Sequence, residues 1–118
     1  MRLAYLAHPV SGLSQETLRC SIAGWVFDVT EAFPDVAFTV PWLAYVLALD
    51  DQNPAHRARG MRDDLQSLSR CDEVWLLGGV ISAGMRTEAE HAVSICIPVF
   101  RVTRGPDGLV REEWGGGA

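Results

Sequence analysis

The sequence predicts an α/β domain, a three-layer sandwich around a mostly parallel sheet of four or five strands, and three observations carry that reading. Short apolar runs alternate along the chain with longer segments of helical periodicity, the pattern of right-handed strand-helix-strand crossovers. The first run, Arg2 to Ala7, has no polar alternation, as suits a strand buried on both faces. The chain has 118 residues, enough for one core and too few for two.

Each element has its own signal. After the strand at residues 2–7, His8-Pro9-Val10-Ser11-Gly12 reads as a loop and Ser14 as a helix N-cap, with Leu13 and Leu18 placed as a hydrophobic staple. Leu18, Ile22, Trp25, Val29 and Phe33 repeat at helical spacing over about five turns until Pro34 and Asp35. Residues 36–40 form a second strand, closed by Pro41; residues 42–51 are apolar but fit either element. A helix follows Pro54 with Ala58, Met61, Leu65 and Leu68 on one stripe, then a strand from Glu73 to Leu77 ended by Gly78-Gly79. Next come a helix from about Gly84 to Ile95, bearing Met85, Ala89, Ala92, Val93 and Cys96, and a strand from Ile97 to Thr103. Residues 1–103 are therefore read as the domain and 104–118 as a tail, a possible edge strand that then frays and in which Arg111 to Trp114 add little to the core.

Composition excludes several partners. A net charge of -5 opposes binding to a nucleic-acid polymer, and no apolar stretch nears the roughly 18 residues of a membrane span. Met1 to Gly12 is too short in apolar residues for a signal-peptide core, and Cys20, Cys71 and Cys96, scattered in apolar patterns, read as reduced core thiols; a cytoplasmic location is expected. No cofactor is expected, and no metal, because His91 falls at the edge of the polar face and forms no ligand set with Glu88 and His8.

Two carboxylates fall where solvent is not expected. On a wheel of 100° per residue, Glu88 lies between Ala92 and Ile95 in the first turn after a strand-to-helix loop, whereas Glu90 points to solvent. On the preceding helix Asp63 points outward, while Asp64 and Arg57 lie beside Met61, Leu65 and Leu68. A buried carboxylate must be hydrogen-bonded for structure or retained for chemistry. The structural alternatives are a salt bridge from Asp64 to Arg57, or a cap contact, and helix capping by Glu88. The loop from Gly78 to Met85 supplies small residues and free N–H groups at a helix start, suited to a hydroxyl or phosphate.

These segments, Tyr5 to Gly12, Arg57-Ala58-Arg59-Gly60-Met61, Asp64-Leu65, and Cys71 to Trp75 through Ile81-Ser82-Ala83-Gly84-Met85-Arg86-Thr87-Glu88, together resemble nucleoside 2-deoxyribosyltransferase-like proteins, nearest to short phage and bacterial members. The resemblance runs from about residue 3 to 100. It implies a Rossmann-like or flavodoxin-like fold and cleavage or transfer of the N-glycosidic bond of a (deoxy)nucleoside or its 5'-monophosphate, as in the related 2'-deoxynucleoside 5'-phosphate N-hydrolases. By motif position, it implies Glu88 as nucleophile, Tyr5 as the residue that orients it, Asp64 as acid or sugar contact and Ser82 near a phosphate. His8, Gly12, Arg57, Trp42, Gly84 and Met85 are the further substrate-binding candidates. His8, Trp42 and Gly84-Met85 depart from the residues usual in relatives. The resemblance, with the apolar stretch from Trp42 to Leu49, also implies a homodimer or larger homo-oligomer. Two rivals stand beside this reading: a non-catalytic nucleotide or NAD-derivative binding module, and a phosphoribohydrolase suggested by Gly78-Gly79 and Thr87-Glu88, whose spacing here is too long.

Overall fold

A computed structural model of the chain describes residues 1–116; of the fraying expected from Gly115 to Ala118, the part at residues 117 and 118 lies outside the described residues. The elements are β1 (Arg2–Ala7), α1 (Gln15–Ala32), β2 (Val36–Thr39), α2 (Pro41–Ala48), α3 (Pro54–Leu68), β3 (Glu73–Leu77), α4 (Ala83–Ser94), β4 (Val99–Gly105) and β5 (Gly108–Glu113). All five strands form one sheet in the order β2-β1-β3-β4-β5, parallel except for the β4-β5 hairpin. The α/β sandwich and its mostly parallel sheet are as the sequence predicts. The stretch that fitted either element is helix α2, which starts with Pro41 at a position where its missing N–H costs nothing.

The sheet order reverses direction between β1 and β3, since the chain leaves β1 toward β2 and leaves β3 toward β4. Right-handed crossovers then put α1 on one face and α3 and α4 on the other, with α2 packed beside α3. The crevice above the carboxyl ends of β1 and β3 is where this topology leaves room for a ligand.

Ala4 to Ala7 and Val74 to Leu77 are buried on both faces of the sheet, and α1 covers one face with Leu18, Ile22, Trp25 and Val29, four of the five residues in its predicted stripe. Phe33, the fifth, caps the helix and meets Trp75 edge-on, ring centroids 4.8 Å apart. Each such large apolar side chain contributes about 1.5–3 kcal/mol on burial.

Two expectations are corrected. Cys71 is buried, but Cys20 and Cys96 are exposed: Cys20 lies off the stripe of α1, and Cys96 lies beyond the end of α4 in a left-handed conformation, φ 63°. Val93 is exposed as well, because the face that α4 turns inward is Met85, Glu88, Ala89 and Ala92. Within the stretch from Trp42 to Leu49, Trp42 lies in the core with Leu43 and Val46 packed against it, while Leu47 is exposed.

The residues from Arg111 to Trp114 also do more than expected. Arg111 stacks its guanidinium over Phe100, 4.4 Å from the ring centroid, and reaches the buried Glu73 at 3.6 Å. Arg2 approaches the other oxygen of Glu73 at 2.8 Å, and the Trp75 indole N–H donates to the first at 2.8 Å. Trp114 packs against the core and donates its backbone N–H to the Val99 carbonyl.

Candidate active site

A cleft of about 640 Å3 opens at the carboxyl ends of β1 and β3, within the range of small-molecule sites. Its lining includes His8 and Ser11 after β1, Trp42 and Tyr45 from α2, His56, Arg57, Met61 and Asp64 from α3, and Ser82, Gly84, Met85 and Glu88 at the start of α4.

Glu88 is only 6% exposed. Because α4 begins at Ala83, the residue lies in the second turn and not the first, on the side turned to the sheet. Tyr5, fully buried on β1, donates its O–H to Oε2 of Glu88. Burial pushes the Glu88 carboxyl up to about 8; the Tyr5 hydrogen bond opposes that rise and the charge of Asp64 adds to it. The phenol of Tyr5 is raised too, by burial first and then by Glu88, so it stays a donor.

Asp64 shares the cleft, and its Oδ1 is buried with no hydrogen-bond partner. Burial, and then the charge of Asp63, push its carboxyl up to about 7. Neither structural alternative for Asp64 is realised: among the described residues it forms no ion pair with Arg57, which is exposed at the cleft wall. Capping by Glu88 is not realised either. Ser82 caps α4 by accepting the Met85 N–H at 3.2 Å, while the Met85 sulfur accepts the Ser82 N–H at 3.5 Å.

His8 is committed elsewhere. Its Nδ1 lies 2.6 Å from the Pro9 carbonyl, so it must carry the proton, and its Nε2 accepts from the Ser21 hydroxyl at 2.8 Å. Burial lowers its tendency to protonate, and the ring stands as a neutral wall stacked on Trp42, centroids 6.0 Å apart. Trp42 is locked in turn by its indole N–H on the Leu6 carbonyl. Gly12 does not line the cleft; with φ 83° it serves the turn before α1.

Sequence reasoning missed Tyr45 and His56. The second had a signal: His56, Gly60 and Asp64 recur at i, i+4, i+8, one face of α3. His56 Nδ1 accepts the Asp50 N–H at 2.9 Å, which leaves Nε2–H as its free donor. Among the described residues no group of three His, Cys, Asp or Glu side chains stands ready to hold a metal ion, and no helix is long and apolar enough to cross a membrane.

The family described as a domain of unknown function (DUF7768) matches residues 2–102. The chain belongs to that family. No curated protein matches this DUF7768 chain in sequence. Among solved structures it is similar in fold to a 2-deoxyribosyltransferase from the psychrotolerant bacterium Bacillus psychrosaccharolyticus, with a TM-score of 0.62 and 16% identity over 86% of this chain and 72% of the other. At that identity the likeness is one of fold.

Proposed function

We propose that the cleft cleaves the N-glycosidic bond of a (deoxy)nucleoside, passing the sugar to water or to a second base. The observation that carries this reading is the buried Tyr5–Glu88 pair beside the unpartnered oxygen of Asp64. Bond cleavage puts positive charge on the anomeric carbon, and a carboxylate placed against the sugar stabilises it and traps it covalently. Glu88 attacks that carbon, and the electrons of the breaking bond go to the base, which takes its proton from Asp64. Water or a second base then displaces Glu88. The fold likeness to an enzyme that acts as a 2-deoxyribosyltransferase supports the same chemistry.

Charge at the cleft favours an uncharged nucleoside over its monophosphate. Asp50, Asp51 and the one negative charge that Asp64 and Glu88 carry when they share a proton stand against one arginine, Arg57, and two of the expected phosphate contacts, Ser82 and His8, are already engaged. The burial that pushes the Glu88 carboxyl up to about 8 also suits a second reading, a non-catalytic nucleotide or NAD-derivative binding module in which a protonated Glu88 would donate a hydrogen bond to the ligand. Base release and ligand affinity, measured on wild type, Glu88→Ala and Glu90→Ala with deoxynucleosides and their monophosphates, separate the two. Glu88→Ala is expected to bind and release no base, with the exposed Glu90→Ala behaving as wild type. A wild-type protein that binds but releases no base from any of them is a binding module.

A further inference from the structure

Asp63 was expected in solvent, yet its carboxylate is held by three donors. Arg59 Nε lies at 2.9 Å, Arg62 Nε at 3.0 Å, and the Tyr45 hydroxyl, reaching across from α2, at 2.8 Å. These bonds, Arg59's first, bring Asp63 down to about 2, so it is ionised wherever the protein is folded near neutrality. Its neighbour Asp64 has the opposite surroundings, an orphaned buried oxygen and no cation bonded to it. The groups around Asp64 are Asp63, His56 and Arg57 on its own helix, Tyr45 on α2, Tyr5 on β1 and Glu88 on α4. The side chains of Arg59 and Arg62 are 60% and 68% exposed, so water screens them, whereas that of Asp63 is 18% exposed. Burial comes first in favouring the protonated form of Asp64, and the charge of Asp63 adds to it.

We propose that Asp63 is a positioning residue: a carboxylate, clamped by Arg59, Arg62 and Tyr45, that ties the α2 wall of the cleft to α3 and adds its charge to the burial of the unpartnered Asp64. The tie matters because α2 has eight residues, too few to hold helical form alone, and it carries Trp42 and Val46 on the cleft. Only the consequence for base release rests on the function proposed above.

The test follows the Asp64 carboxyl by 13C NMR titration in wild type, Asp63→Asn, Asp63→Glu and Tyr45→Phe. Asp63→Asn is expected to move the Asp64 midpoint to lower pH and Asp63→Glu to restore it. An Asp63→Asn midpoint that stays in place or rises overturns the proposal, and so does a Glu variant that behaves as the Asn variant. Tyr45→Phe keeps the charge but loses the tie, so amide hydrogen exchange in α2 should speed up several-fold with the Asp64 midpoint unmoved; unchanged exchange overturns the tie. If base release is found, its acid limb should move down with the Asp64 midpoint in Asp63→Asn, because the lower of the two titrations that bound the singly protonated pair belongs to Asp64. If wild type releases no base, the function proposal fails while the titration still decides the role of Asp63.

Discussion

Glu88 and Asp64 bind protons more tightly in the folded chain than in the unfolded one, which fixes the sign of two pH effects. Their folded values of about 8 and about 7 stand above ordinary values of 4.5 and 3.8. The stability they contribute is complete below about pH 4 and is lost as pH rises toward 8. Glu88→Gln keeps an acceptor for the Tyr5 O–H and removes the buried charge. Its melting temperature should exceed that of wild type at pH 8.5, with the gap closing by pH 4.5; a variant that melts earlier at pH 8.5 would assign Glu88 a structural role. The second effect is on rate. Cleavage needs Glu88 ionised and Asp64 protonated, so the pair must hold a single proton, and base release should peak between about pH 7 and 8. A rate that climbs steadily to pH 10 would remove Asp64 as the acid. The inward side of Glu88 was legible because a wheel needs only the spacing of apolar neighbours. The clamp on Asp63 was not, because Tyr45 lies 18 residues away on an element that the sequence left open.

Helix α4 shows what a single element contributes, and where periodicity stops being informative. The stripe of Met85, Glu88, Ala89 and Ala92 could be read from the sequence, but its end could not: Val93 is still helical but on the outer face, and Cys96 continues the apolar pattern after the backbone has turned away. At the start of the helix the same residue answers to two roles. Ser82 can be a phosphate contact by motif or an N-cap by geometry, and its bond to the Met85 N–H makes it a cap. Ser82→Ala should therefore cost about 1 kcal/mol in denaturant unfolding. It should leave the deoxynucleoside affinity of the folded protein as it was, by calorimetry. A tenfold loss of affinity without loss of stability would return Ser82 to the ligand. The strands were read more accurately than the helix ends, since a run buried on both faces of a sheet, such as Glu73 to Leu77, announces itself by continuous apolarity and the glycines that follow. Even there, Glu73 breaks the apolar rule, and its partners could not be found from local sequence.

Those partners come from opposite ends of the molecule. Arg2 begins the first strand, Arg111 sits in the last, and both converge on a carboxylate in the middle of the chain that is 2% exposed. During synthesis Glu73 leaves the ribosome well before Arg111 does. Until the last strand emerges, Glu73 has Arg2 and the Trp75 N–H but lacks the Arg111 guanidinium and the cover of β5. A chain cut after Thr103 loses β5, the ring-stacked Arg111 and the cover of Trp114 together. It should show a broadened thermal transition and not merely a lower midpoint; a sharp transition close to that of wild type would make β5 dispensable. One anion in the middle of the chain is thus the knot at which the first strand and the last are tied together.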